Sequence, residues 1–383
     1  MGIAMSMQAV AIGWYVYSIT DSALALGITG LSTFLPTAVL ALFTGHVADT
    51  YNRRIIVTTA FAVYAMAALG LLYLVLHEVK DPTPIYMLTM TGGAARAFAN
   101  PASQSLTPNT VPREYFTNAV TWYSSAWSAS RIIGPAIGGF VYIIAPSAPF
   151  FIAFIAFTIA SVCVFLISTS GSAAKAGRGP ITWATLSAGL HFIASRNVLL
   201  GSISLDLVAV LFGGAVALLP VVARDILHVG PWGLGLLRAS PSVGAILMGA
   251  ALAHWPITSR AGKKMLFAVG CYGVATMLFG FSTNLFLSMA MLAIVGASDQ
   301  ISVVVRHTMV QAETPDDMRG RVAAVNSIFI SGSSDLGEFE SGATAAWWGT
   351  VPAIVFGGAA TLAFAALWGV IFPALRNRDR LVE

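Results

Sequence analysis

Three carboxylates fall within six positions of one otherwise apolar stretch: Asp335, Glu338 and Glu340. Asp335 and Glu338 are three apart and share a helix face, whereas Glu340 points elsewhere. Crowded acids in a low-dielectric setting are suited to loading and releasing a proton. The alternative is a structural knot of polar groups, with Arg131 as a partner. Asp206, Asp299 and Arg96 also interrupt apolar stretches, as do Arg131, Arg238 and Arg306. Arg96 and Asp299 stand 203 residues apart (299 − 96) at corresponding places in their stretches. A charge at the centre of a bilayer costs about 2.5–3.5 kcal/mol on an insertion scale, so each of these needs a partner or a task. Asp335, Glu338, Glu340, Asp299 and Asp206 are the candidates for a proton site, and Arg96 with Asp299 for the wall of a cavity. No Ser/His/Asp triad, metal-ligand spacing or phosphate loop stands near a membrane face, which argues against an integral-membrane enzyme. Cys163 and Cys271 lie within apolar stretches and read as packing. No cofactor and no metal are expected.

The elements that carry these residues are set by composition. Hydrophobic residues make up 57% of the 383-residue chain and charged residues 9%. A soluble domain carries about 25% charged residues. Twelve apolar stretches are long enough to cross a bilayer, which takes about 20 residues: 3–20, 24–48, 55–77, 84–105, 117–145, 148–169, 198–222, 231–254, 264–282, 285–307, 320–346 and 350–373. All are expected as helices, even those rich in Val, Ile and Phe, because an open sheet edge cannot be satisfied in lipid. The fold class is therefore all-α integral membrane, with twelve transmembrane helices.

The formal charge of +4 is not a nucleic-acid footprint. Arg53, Arg54, Arg113, Lys175, Arg178, Arg196, Arg260, Lys263, Lys264, Arg319, Arg321, Arg376, Arg378 and Arg380 fall in alternate loops or the C-terminal tail, whereas the opposite loops hold Lys80 and Arg224. This positive-inside bias places the central loop and the C-terminus in the cytoplasm. The two halves resemble each other at an offset near 203: Pro112 answers Pro315, Gly134 answers Gly337 and Gly139 answers Gly342. The expected organisation is an N-terminal six-helix bundle over 1–169, a cytoplasmic linker over 170–197, and a C-terminal six-helix bundle with a cytoplasmic tail over 198–383. The bundles are pseudo-symmetric parallel repeats, with a substrate path between the halves. Trp183, Leu186, Leu190 and Ile193 recur at helical spacing in the linker, which predicts a short helix on the membrane surface. The first stretch barely spans and has no basic residues before it, so the first helix is expected to be truncated, with its cytoplasmic end upstream of Met1.

Two constellations remain. The loop after the second stretch reads Gly45-His-Val-Ala-Asp49-Thr-Tyr-Asn-Arg53-Arg54. The fifth stretch contains Arg131-Ile-Ile-Gly134-Pro135-Ala-Ile-Gly138-Gly139. Pro135 removes a backbone hydrogen bond, and the three glycines let another helix approach closely. The loop resembles the Gly-x-x-x-Asp-(Arg/Lys)-x-Gly-(Arg/Lys)-(Arg/Lys) motif of the major facilitator superfamily. Gly45, Asp49, Arg53 and Arg54 match it, while Thr50 and Asn52 depart from it. The stretch around Pro135 is similar to the Gly-Pro-x-x-Gly-Gly motif associated with antiporters of that superfamily. Gly337 to Gly342, Val310 to Val322 and Ala9 to Tyr17 resemble the enterobactin-exporter-like branch of its bacterial efflux permeases. The resemblance covers essentially the whole chain.

The resemblance implies a conformational latch at Gly45, Asp49, Arg53 and Arg54, and a cavity lined by the first, fourth, seventh and tenth spans. An Arg96–Asp299 pair across the midline is then expected as a gate or coupling element, and Arg306 is expected to reach for the membrane surface from near the end of its span. The expected function is secondary active transport in the bacterial inner membrane: export of a small organic molecule by a monomer, driven by protons. The alternatives are a uniporter or importer and a lysophospholipid flippase on the same fold.

Overall fold

The computed structural model describes residues 1–106, 111–167, 183–315 and 318–379. Among the described residues every regular element is helical. The first half holds α1 (Gly2–Thr20), α2 (Ala23–Thr50), α3 (Arg53–Leu76), α4 (Thr83–Leu106), α5 (Phe116–Ile144) and α6 (Ala148–Phe165). The linker helix is α7 (Trp183–Ser195). The second half begins with α8 (Asn197–Phe212) and the single turn α9 (Leu219–Val221). There follow α10 (Pro231–His254), α11 (Ala261–Phe281), α12 (Leu285–Glu313), α13 (Arg319–Trp348), α14 (Thr350–Ile371) and the short α15 (Pro373–Arg376).

Among the described residues ten segments are long and apolar enough to cross a membrane, with Asn197–Ile226 counted as one. The other two of the twelve are α4 and α13. Both are long enough, but α4 carries Arg96 and α13 carries Asp335, Glu338 and Glu340. Both carry candidate site residues, as do α5, α8 and α12 among the ten.

Local chemistry sets the helix ends. Asp21 takes a left-handed conformation (φ 48°) and closes α1, and the Ser22 hydroxyl then accepts from Ala25 N to open α2. Two residues suffice for the turn. Asn52 opens α3 by accepting from Arg54 N at 3.0 Å. Asp81 Oδ1 accepts from Thr83 N at 2.9 Å and begins α4; that bond holds the Asp81 carboxyl below the usual range. Asn284 accepts from both Phe286 N and Leu287 N to begin α12.

Contacts divide the chain into two compact units. One is Met1–Ile181 with Val229–Ala239, and the other is Thr182–His228 with Ser240–Glu383. In the first, α2 packs on α4, α3 on α4 and α6, and α1 on α5. In the second, α11 packs on α12 and α14, and α13 packs on α8 and α7. Lipid is as apolar as Leu, so burial alone does not drive helices together in a bilayer; close backbone approach and hydrogen bonds do. The two units solve this alike. Gly93 of α4 lies against the Thr33 carbonyl of α2, and Thr37 donates to Gly93 O at 3.0 Å. Gly296, the counterpart 203 residues on, lies against the Pro241 carbonyl of α10. In both places a side chain on the glycine would collide with backbone.

Two spans differ from the sequence expectation. The tenth span runs on to Glu313 instead of stopping at 307. The seventh is interrupted: α8 ends at Phe212, Ala215–Leu218 is a 3-10 turn, and Val222–Ile226 is a π-helical turn. The linker helix forms over the expected residues, and what it packs against is α13: Gly189 abuts the Arg321 carbonyl and Ile193 is buried.

Candidate functional site

The loop between α2 and α3 takes a definite shape. α2 continues through Thr50, and Asn52 supplies the cap of α3. The departure from Gly at position 52 therefore has a use, because Asn offers the accepting oxygen that Gly lacks. Arg53 is buried. Arg54 Nη1 donates to the Ile167 carbonyl at 2.7 Å, and its guanidinium lies 5.7 Å from the Phe165 ring centroid. A cation thus meets the carbonyl end of α6, where the helix dipole favours positive charge. The side chains of Gly45 and Asp49 lie outside the described residues.

The glycines of α5 form a two-sided seam. A Cβ on Gly134 would stand 2.9 Å from Ile3 O, and one on Gly138 2.8 Å from Met7 O, so this face receives the backbone of α1. Gly139 lies against the Pro231 carbonyl. The Pro135 carbonyl in turn lies 2.5 Å from where a Cβ on Gly235 would sit. The first nine residues of α10 therefore cover the other side within the same unit. Arg131 is exposed and takes no part in the seam. Arg238 donates to Ala9 O at 3.3 Å and ties α10 to α1.

The second unit holds the strongest polar arrangement. Asp206 of α8 and Arg306 of α12 form an ion pair of 3.0 Å, and both are almost wholly buried. Arg306 Nη1 also donates to Asn326 Oδ1 of α13 at 3.0 Å, and Ser302 lies beside the Asp206 carboxylate. One guanidinium thus joins three helices. This corrects the expectation that Arg306 reaches for the membrane surface. The cause is the length of α12: with the helix running to Glu313, Arg306 sits about two turns inside its end. Nothing in the local sequence marks Asn326 as its partner.

The interruption of α8 is a seat for neighbouring helices. Tyr272 of α11 donates its hydroxyl to Gly213 O at 3.1 Å. Gly214 lies against the Gly337 carbonyl of α13, and Gly337 against the carbonyls of Val210 and Leu211. Ser341, one turn on, presents its hydroxyl 2.7 Å from the Cβ position of Gly214. Glu340 flanks this face, and its Oε2 accepts from Ser341 Oγ at 3.4 Å. Asp335 and Glu338 are partly buried, and Asp335 Oδ2 is shielded from solvent. Asp299 is partly buried near Tyr272, and Arg96, in the first unit, is partly buried near Tyr64. The structure therefore brings together Asp206, Arg306 and Asn326, and separately places Glu340 and Ser341 beside the helix break.

A model of the family described as transmembrane secretion effector matches residues 2–381. The chain is 26% identical over 350 residues to the multidrug efflux pump Tap of Mycolicibacterium fortuitum, which covers 88% of this chain and 84% of that protein. It is 24% identical over 324 residues to the enterobactin exporter EntS of Shigella boydii serotype 18, which covers 84% of this chain and 76% of the exporter. Among solved structures, the nucleoside transporter NupG superposes with a TM-score of 0.70 at 11% identity, covering 98% of this chain and 95% of that one. A bacterial homologue of the iron transporter ferroportin, in its inward-facing state, gives 0.67 at 15% identity, covering 98% and 97%. These two likenesses concern the fold alone.

Proposed function

We propose that this chain, which belongs to the transmembrane secretion effector family of the major facilitator superfamily, exports a small organic molecule across the bacterial inner membrane in exchange for protons. The observation that carries the reading is the pair of environments given to acids at bilayer depth. Asp206 is locked to Arg306 and Asn326. Glu340 has a hydroxyl for a partner and, among the described residues, no cation. A proton can join or leave Glu340 without stranding an opposite charge, whereas at Asp206 it would break the pair. Acids whose surroundings separate their roles are what a coupled site uses.

Glu340 is therefore the first candidate for the coupling proton, followed by Glu338 and Asp335, and Asp299 thereafter. Asp206 moves from coupling candidate to structural partner of Arg306. Transport proceeds by alternating access, with Gly45, Asp49, Arg53 and Arg54 as the latch, and the C-terminus lies in the cytoplasm. A multidrug pump and a siderophore exporter among the relatives support drugs, siderophores or similar metabolites as the substrate class. Accumulation of such compounds in a strain lacking the protein identifies the substrate. Flux of that compound in proteoliposomes then tests the coupling: an imposed pH gradient is expected to drive uphill movement, and flux indifferent to the gradient refutes it.

A further inference from the structure

The outer surface of the second unit carries a groove of about 650 Å³ between α11, α12 and α14. Its α11 wall includes Phe267, Gly270, Val274 and Leu278, with Leu362 and Gly369 opposite on α14. These α11 positions are one helix stripe, and the stripe continues one turn back to Lys263. From Leu266 to Leu278 the groove rises about 18 Å, close to the depth of one leaflet, half of a ~30 Å core. A space of this shape at this depth takes a hydrocarbon chain.

The charge is at one end only. Lys263 is exposed, and so is Arg376, whose carbonyl carbon comes 3.4 Å from the Cβ position of Gly262 next to Lys263. Neither forms an ion pair among the described residues, although Arg378 nearby is held by Glu313 at 3.3 Å. The nearby acid Asp379 is turned to the backbone: its carboxylate accepts from Arg260 N at 2.9 Å and its carbonyl from Ala261 N at 3.0 Å. The far end of the stripe, at Leu278 to Ser282, carries no charged residue.

We propose that this groove binds one anionic phospholipid, with an acyl chain along α11 and the phosphate between Lys263 and Arg376. The site is independent of the transport reading. The test is native mass spectrometry of the full chain in mild detergent, titrated with phosphatidylglycerol or phosphatidylethanolamine. Two cations at about fivefold each give wild type a roughly 25-fold preference for phosphatidylglycerol. Lys263→Gln with Arg376→Gln removes that preference and leaves phosphatidylethanolamine binding unchanged. Gly270→Leu fills the groove and weakens both lipids. A Cβ at position 270 meets only Leu362 at 3.6 Å, an ordinary contact, so this variant keeps the wild-type melting temperature. Equal affinity for the two lipids in wild type, or a preference that survives the double substitution, overturns the proposal. So does a dimer that Gly270→Leu dissolves, since a second copy would then cover the groove.

Discussion

Replacing Asp206 by Asn leaves the Arg306 guanidinium buried beside a neutral amide. The two groups are 3.0 Å apart and almost sealed from solvent. At an effective dielectric of about 20, the lost Coulomb attraction is about 5.5 kcal/mol, from 332/(20 × 3.0). The gross figure exceeds the net effect, because Asn still offers an oxygen to Arg306. Breaking one side of a buried pair costs about 3–5 kcal/mol, and that range is the expectation for Asp206→Asn and for Arg306→Met alike. The double variant removes both charges, so it should be more stable than the poorer single variant by about 2 kcal/mol or more. The assay is the apparent melting temperature of each protein in detergent, read by size-exclusion chromatography. Single variants should melt on the order of 5–10 °C lower, with partial recovery in the double. Single variants as stable as wild type would refute the pairing. So would a double variant whose loss equals the sum of the two.

Other expectations follow from the helix contacts. Gly138→Val places a Cβ 2.8 Å from Met7 O and 2.9 Å from Met7 Cα, backbone atoms that cannot swing aside. It should cost about 3 kcal/mol or more and lower the yield of monodisperse protein, whereas Arg131→Ala, off that seam, should leave yield unchanged. Asn52→Ala removes the accepting oxygen at the start of α3 and should lower stability by about 1 kcal/mol, with Asn52→Asp retaining most of it. A melting series of the three proteins checks the order.

Much of this structure was readable because lipid leaves the backbone few choices. Stretches such as 55–77 and 350–373 had to be helices, and they are α3 and α14. Even α13 was legible, because its acids interrupt a run whose flanks stay apolar. The glycines around Pro135 announced a close approach, but not which helices approach. The break at Gly213 was not read from the sequence, although the pair Gly213-Gly214 stands between the apolar runs Val208-Ala-Val-Leu-Phe and Ala215-Val-Ala-Leu-Leu. The glycine pair permits the interruption, and Tyr272 and Gly337 pack against it. The partnership of Asp206 with Arg306 spans 100 positions (306 − 206) and depends on where α12 ends, which hydropathy does not give.

Proton coupling at Glu340 requires an acid that can change its proton without disturbing the fold. Its most direct test uses proteoliposomes containing wild type or Glu340→Gln, loaded with labelled substrate. Two quantities are compared: net movement driven by a pH gradient, and exchange of labelled for unlabelled substrate without one. Glu340→Gln is expected to lose gradient-driven movement and keep wild-type exchange. Wild-type gradient-driven movement in Glu340→Gln would contradict it and pass the coupling role to Glu338, Asp335 or Asp299.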